Sequence, residues 1–260
     1  MKDKLDIFVL GYKAFDCKVT NPIYKIIDGG EESFEAPIQI LNDTVGDSIS
    51  ELNGFYSELT RMYWVWKNLP LKKYVGFCHY RRYFEFFDDI PDMDEIFKDH
   101  DIVLPKPYKC GTVILKQYSK AHNNDDYKTM LAIIKTLRPD YYEGALKLSL
   151  TTKHLYINNS FIMKREDFLC YCDFIFPILE AFLTFHGFKT TSDIEKYVSD
   201  HADTYLNHRT KPNSEVWYQS RIGGFLAERL FTIWLSHHYV PERVKHIPLI
   251  MTEKKYNKIS

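Results

Sequence analysis

The sequence predicts an α/β sandwich with a mostly parallel central sheet, and two observations carry this. Short apolar runs alternate along the chain with longer segments whose apolar residues recur at helical spacing, as strands joined by crossover helices do. The run Val75-Gly76-Phe77-Cys78 is apolar without alternation, as a parallel strand covered on both faces is. At 260 residues the chain can hold one large domain or two small ones. No repeat, low-complexity segment or long Gly/Ser/Pro linker divides it, so a single domain over 1–260 is expected.

A first strand covers about Leu5 to Leu10, and a second Ile23 to Ile27, ending at Asp28-Gly29-Gly30. Asn42-Asp43 through Gly46-Asp47 is turn-rich. Ser48-Ile49-Ser50-Glu51 has the S-x-x-E form of a capping box. Leu52, Phe55, Tyr56, Leu59, Met62 and Trp66 follow at helical spacing, with Asn53, Ser57, Thr60 and Lys67 opposite. One helix is therefore expected as far as Asn68, since Pro70 disfavours continuation. A short connection leads to a strand at Tyr74–Cys78, and another strand reads Asp101-Ile102-Val103-Leu104 before Pro105 and Pro107. A helix starts at Asp125 or Asp126, a strand covers about Tyr156 to Met163, and an aromatic-rich helix kinked at Pro177 runs from Arg165 to Phe185. Lys189 to Ser214 reads as a polar insertion with some helix. The last large helix spans about Ser220 to His237, and the polar tail beyond Met251 is frayed.

Thirty-four basic and thirty-five acidic residues nearly cancel, and no block of like charge stands out, which argues against nucleic-acid binding through a general basic face. The five cysteines form no C-x-x-C pair and no zinc spacing, so buried free thiols in a reducing compartment are expected. The first apolar run is too short for a signal-peptide core, and no later run is read as a membrane span. These features predict a soluble, cytoplasmic protein.

The densest chemistry lies at His79-Tyr80-Arg81-Arg82-Tyr83, where the apolar strand releases the chain. Open α/β sheets place ligands at the carboxyl ends of their strands, and arginines there hold phosphate or carboxylate. In an extended chain His79 and Arg81 share one side and Tyr80 and Arg82 the other, so both arginines reach one anion only if the chain bends. The plain structural alternative is a surface arginine pair packed on aromatics. Asn53 can bond a ligand or complete local capping, and Glu58 with Arg61 reads most simply as an exposed i, i+3 pair. His122 and Asp126 can ligate a metal or form a base and its orienting partner, whereas the structural reading is a helix cap at Asp125. Asp92-Met93-Asp94 has the D-x-D form but follows Pro91, and it reads as a helix start rather than a metal site. Arg221 and Glu228 are seven residues apart on one helix face beside Arg229, for which a buried ion pair is the simpler reading. No G-x-S-x-G, Walker loop, H-E-x-x-H or dinucleotide fingerprint is present.

Taken together, the strings GDSISELNGFYSELTRMYWVWKN, YVGFCHYRRYF, DIVLPKP, NNSFIMKREDF and RIGGFLAERLFTIWL resemble the domain-of-unknown-function 4422 family. That family is met in capsular and exopolysaccharide loci and is regarded as glycosyltransferases. The resemblance covers most of the chain, from the first strand to about Trp234. It implies a GT-A-like fold, with a donor half over about 1–110 and an acceptor half over about 111–250. In such folds the strand after the long helix usually ends in a D-x-D that holds a metal on the donor diphosphate. Here that place reads His79-Tyr80-Arg81-Arg82, and arginines can stabilise a departing diphosphate as a divalent ion does. Metal-independent transfer is the expectation; no cofactor is firmly implied, and a manganese or magnesium ion is left open.

The resemblance further implies donor-binding roles for Asn53, Glu58, Thr60, His79, Tyr80, Arg81 and Arg82. It implies acceptor or sugar contacts for Tyr118, Asn158, Asn159, Arg221, Glu228 and Arg229, and a general base at Asp126 or at His122 paired with it. Two positions depart from the family pattern. Gly11-Tyr12-Lys13 stands where His-Lys is usual, so no nucleotide role is carried over to Tyr12, and Asn159-Ser160-Phe161-Ile162-Met163 replaces N-M-F-I-M. The implied activity is transfer of a hexose, with galactose as pyranose or furanose one candidate, from a UDP-linked donor to a capsular, exopolysaccharide or lipopolysaccharide glycan. The acceptor can be lipid-linked, which leaves peripheral contact with the inner membrane face open. The competing readings are a metal-dependent phosphohydrolase or nucleotidyltransferase, and a non-catalytic nucleotide- or glycan-binding module.

Overall fold

In the computed structural model, which describes residues 3–11, 14–29, 35–207 and 212–252, the alternating pattern of the sequence becomes one large sheet with a thick helical layer. The chain opens with β1 (Leu5–Leu10), β2 (Tyr24–Asp28) and β3 (Gln39–Asn42), the last of which the sequence reading did not assign. After α1 (Asn53–Tyr56) and α2 (Leu59–Asn68) come β4 (Tyr74–His79), β5 (Arg82–Phe84), α3 (Met93–Asp99) and β6 (Ile102–Leu104). The next stretch holds β7 (Tyr108–Lys109), α4 (Ile114–Ala121), α5 (Asn124–Leu137), α6 (Pro139–Thr151), β8 (His154–Leu155) and β9 (Phe161–Lys164). It closes with α7 (Arg165–His186), α8 (Thr191–Asp200), α9 (Ala202–Tyr205), α10 (Val216–Gln219), α11 (Ile222–His238), β10 (Val244–His246) and β11 (Leu249–Met251).

The sheet runs in the order β10-β6-β9-β4-β1-β2-β3, with β5 and β11 attached beside β4. Strands β3, β2, β1 and β4 are parallel neighbours, and β10 is parallel to β6. Strand β9 is antiparallel to both β4 and β6, so β4 and β6 point the same way. The carboxyl ends of β1, β2, β3, β4, β6 and β10 therefore share one edge.

Side chains alternate across this sheet, as the pleat requires. Phe8, Leu10, Val75, Phe77, Phe161 and Met163 face the helical layer, while Ile7, Val9, Tyr74, Cys78 and Ile162 face a thinner layer that includes Met93 and Phe97 of α3. Strand β4 is tightly packed at Gly76, where an added Cβ would lie 3.1 Å from both Ile162 and Ile7 and these would have to shift to admit it. Among the described residues one helix, α7, is long and apolar enough to cross a membrane, which corrects the expectation that no run approaches a span. Phe168, Phe174 and Leu179 of α7 are fully buried in the helical core.

Two elements differ from the sequence reading. The single helix expected up to Asn68 is split at Ser57, whose φ of 55° and ψ of −132° no helix accommodates. Ser48 forms no capping box; its hydroxyl donates to the Asp43 carbonyl and accepts the Ser50 N–H. The strand expected from Tyr156 to Met163 begins only at Phe161, after a turn in which Asn158 and Asn159 both take positive φ, at 67° and 43°. The role considered for Tyr12, the Gly30 end of the second strand and the tail after Thr252 lie outside the described residues.

Candidate active site

The carboxyl ends of β1 and β4, the break between α1 and α2 and the start of α11 enclose a cavity of about 490 Å³. Its floor is made by the β4–β5 hairpin. His79 pairs with Arg82, so Tyr80 and Arg81 form a tight turn and the chain does bend where the sequence required it. The turn is held from both sides: the Tyr80 N–H donates to the Leu10 carbonyl at 3.2 Å, and the Arg81 carbonyl accepts the Thr252 N–H at 3.0 Å. The Tyr80 ring is buried, packs 4.5 Å from the His79 ring, and carries the Arg81 guanidinium 4.9 Å from its centre.

The opposite wall exists because two helices approach very closely. An added Cβ at Gly224 of α11 would sit 2.7 Å from the Ser57 hydroxyl oxygen, and one at Gly223 would enter the Phe55 ring. Seated this way, Arg221 at the start of α11 donates from Nε to Ser57 Oγ at 2.8 Å, and its Nη2 lies 4.0 Å from Glu58. Asn53 Nδ2 donates to the Ser57 carbonyl at 3.0 Å, bracing the break from the α1 side. Glu58 is further held by Asn159 Nδ2, which donates to it at 3.1 Å. Ser57, next to Glu58 in sequence, Asn159, which bonds Glu58, and Asn158 all have positive φ; such conformations in non-glycine residues cost energy and cluster at functional sites.

The charge balance here is positive. Burial lowers the His79 pKa to about 3, with the charges of Arg82, Arg81, Arg221 and Arg61 acting in the same direction. His79 is therefore a neutral ring among guanidinium groups at ordinary pH. Burial and the adjacent Arg81 also lower Arg82. Arg61 is 2 % exposed, not the surface partner of Glu58 that its spacing suggested. His79 Nδ1, Arg61 Nε and Arg81 Nε are buried polar atoms with no hydrogen-bond partner among the described residues. Such atoms are rare in folded proteins, and an anion in the cavity would give the two guanidinium groups an acceptor.

Of the residues singled out in the sequence, Asn53, Glu58, His79, Tyr80, Arg81 and Arg221 line this cavity. Asn159 touches it through Glu58, and the Asn158 N–H donates to Glu228 at 3.1 Å. Burial raises the Glu228 pKa, and Arg229 opposes the rise. Arg229 itself is enclosed, donating to Glu228 at 3.0 Å and to Gln117 at 2.6 Å. Thr60 is buried against Asp43 at 3.0 Å. Tyr118, His122 and Asp126 are buried in the helical layer and are not among the residues that line the cavity. Asp126 accepts the Tyr205 hydroxyl at 2.6 Å, while His122 lies 3.2 Å from Gln219 and stacks on Phe225. The helix cap expected at Asp125 belongs to Asn123. Gly54, Arg61, Glu195 and Trp217 also line the cavity and were not proposed from sequence. Trp217, 54 % exposed, carried the one available signal, a large aromatic within a polar stretch.

Among the described residues no group of three or more His, Cys, Asp or Glu side chains is placed to hold a metal. The D-x-D string lies at the other edge of the sheet. Asp92 caps α3, and Asp94 accepts from the Tyr74 hydroxyl at 2.7 Å and from Lys73 at 2.6 Å.

The fold is similar to that of a solved structure, the bifunctional glycosyltransferase WbbM in its apo form. The TM-score is 0.71 at 23 % identity, over 96 % of this chain and 46 % of that one. This chain thus spans about half the length of that protein. No curated protein matches the chain. A family model described as a domain of unknown function (DUF4422) matches residues 6–202, more than half of the sequence, and the chain belongs to that family.

Proposed function

We propose that the chain is a glycosyltransferase that moves a hexose from a nucleotide-sugar donor to a hydroxyl of a growing surface glycan. The fold shared with a glycosyltransferase supports the reaction class. The observation that carries the reading is the set of arginines Arg61, Arg81 and Arg221 that line one cavity at the carboxyl edge; Arg82, also expected there, acts on His79 but is not among the lining residues. A sugar diphosphate is the dianionic or trianionic ligand such a site suits. UDP is the favoured nucleotide and galactose, as pyranose or furanose, the favoured sugar. The glycan is a capsular, exopolysaccharide or lipopolysaccharide chain elongated in the cytoplasm, at the membrane face when its carrier is a lipid.

In the reaction the bond from sugar C1 to the diphosphate oxygen breaks, and a bond from the acceptor oxygen to C1 forms. The nucleoside diphosphate leaves with added negative charge, which the arginines stabilise without a metal. For transfer with inversion the acceptor proton needs a base. Glu58 is our choice, because it lines the cavity and is oriented by Asn159 and Arg221. Asp126 and His122 are enclosed by protein. His79 contributes a neutral hydrogen-bonding ring rather than a charge.

Thermal-shift titration against UDP, GDP, CDP and their sugar conjugates, each with EDTA and with manganese, tests this reading. A ligand bound only to the native state raises the melting temperature by mass action. The expected result is stabilisation by UDP that persists in EDTA and is lost in Arg81→Ala. A shift seen only with manganese would sink the metal-free mechanism, and no shift with any nucleotide would sink the transferase reading.

A further inference from the structure

We infer that a second cavity on the same sheet edge binds a neutral stretch of glycan, several sugars away from the reacting hydroxyl. This rests on the transferase reading above. The cavity, about 410 Å³, lies at the carboxyl ends of β6 and β10, under the small β7–β8 ribbon that leaves the main sheet. Its walls carry Tyr156, Tyr239, His154, His246, Thr232 and Ser236 over an apolar floor from α6 and α11.

The lining chemistry selects the ligand. Among the described residues that line it there is no Lys, Arg, Asp or Glu, so it offers an anion nothing like the three arginines that line the first cavity. Hydroxyl and imidazole groups beside flat rings suit a molecule with hydroxyls on its rim and C–H groups on its face, which is a neutral sugar. The Tyr156 and His246 rings lie nearly parallel, at 10° with centres 6.4 Å apart, and give such a face a platform. The platform is fixed from behind. His246 Nδ1 is 3.2 Å from the Pro105 carbonyl, and the Tyr156 N–H donates to Thr232 Oγ1 at 3.1 Å.

A continuous piece of chain ties the two cavities together. From Tyr156 at the second, the backbone runs through Asn158, whose N–H donates to Glu228, to Asn159, which holds Glu58 at the first. Glu228 and Thr232 are one turn apart on α11, so both anchors of this segment belong to one rigid element. Three residues span at most roughly 11 Å. An acceptor whose end sits at Glu58 therefore reaches the Tyr156 platform with a sugar a few units back along the chain. Held there, a long acceptor is retained between transfers more tightly than a short one.

The test uses the full chain and its Tyr156→Ala and His246→Ala variants on an array of neutral and of uronic-acid oligosaccharides of two to six units. UDP thermal shifts are recorded on the same three proteins. We expect wild-type binding to neutral chains that strengthens with length. Each variant should weaken it about tenfold, the scale of one lost aromatic contact, with the UDP shift unchanged. His246 is exposed, so its variant folds even if the partly buried Tyr156 is less tolerant. Binding confined to uronic acids, no binding to any sugar, or full binding in both variants overturns the inference. A UDP shift without sugar binding defeats this inference alone, whereas sugar binding without any UDP shift defeats the transferase reading instead.

Discussion

Replacing Arg81 by alanine removes one guanidinium from the first cavity while leaving the turn that carries it in place. The turn is held by main-chain bonds from Tyr80 to Leu10 and from Thr252 to Arg81, neither of which needs the side chain. The guanidinium rests on the Tyr80 ring at 4.9 Å, and its Nε is buried without a partner. A hydrogen bond to a charged group contributes about 1.5–3 kcal/mol, so losing this one should weaken UDP binding by about 10- to 150-fold. A second readout is independent of ligand. Arg81 is one of the charges that hold His79 at a pKa of about 3, after burial and Arg82. Its removal should raise the His79 value yet leave it below the ordinary 6.5, because burial, the largest cause, is untouched. Calorimetric titration of UDP at low and high salt measures the first effect, and a histidine-ring NMR titration the second. Unchanged affinity together with an unmoved His79 would show that Arg81 faces neither the ligand nor the ring, and the electrostatic account of the cavity would fail.

Glu58→Gln should lower transfer by about 10²–10⁴-fold while keeping the UDP thermal shift, as loss of a general base does. Asp126→Asn should instead lower the melting temperature with transfer retained, since that carboxylate is buried on Tyr205; the reverse pattern in a radiolabelled-sugar assay would return the base role to Asp126. Gly224→Ala places a methyl 2.7 Å from Ser57 Oγ and should cost about 1–3 kcal/mol in urea denaturation; a neutral result would mean that α11 is not seated so closely. His79 has its folded pKa below its ordinary 6.5, so between those values the unfolded chain binds more protons. Its contribution to stability is complete above pH 6.5 and is lost as pH falls towards about 3. Over that window His79→Gln should lose stability less steeply than the parent, and identical slopes in denaturation series would contradict the buried, neutral ring.

Strands and core were legible where the signal is local. The continuous apolar run of β4 and the alternation of Phe8 and Leu10 with Ile7 and Val9 follow from the pleat alone. The hidden features depend on contacts far away in sequence. Nothing near Ser57 marks a break, because Leu52 to Trp66 keeps helical spacing through it. The break is held by Asn53 and by Arg221, the latter 164 residues away. Arg61 looked like an exposed partner of Glu58 for a similar reason: the two keep their i, i+3 turn, the Arg61 N–H donating to the Glu58 carbonyl, but the sequence does not show that this face of α2 is turned inward and buried. Asp126 and His122 misled in the other direction, since polar groups in a loop look free until Tyr205 and Gln219 fold over them.

The charge of the chain makes the same point about function. A formal net charge of −1 argues against a general basic face, yet it says nothing about focus. Arg81 and Arg82 come from the β4–β5 hairpin, Arg61 from α2 and Arg221 from the start of α11. Only the first two are neighbours in sequence; Arg221 was singled out too, but as an acceptor contact, and Arg61 only as a surface partner of Glu58. Arg221 joins them because Gly223 and Gly224 let α11 close on Phe55 and Ser57. The glycine pair is thus part of the anion site although it carries no charge. Bulk at Gly224 should therefore weaken UDP binding and stability together, whereas Arg81→Ala weakens binding with stability nearly intact. That difference separates a cavity assembled by helix docking from a local patch on one hairpin.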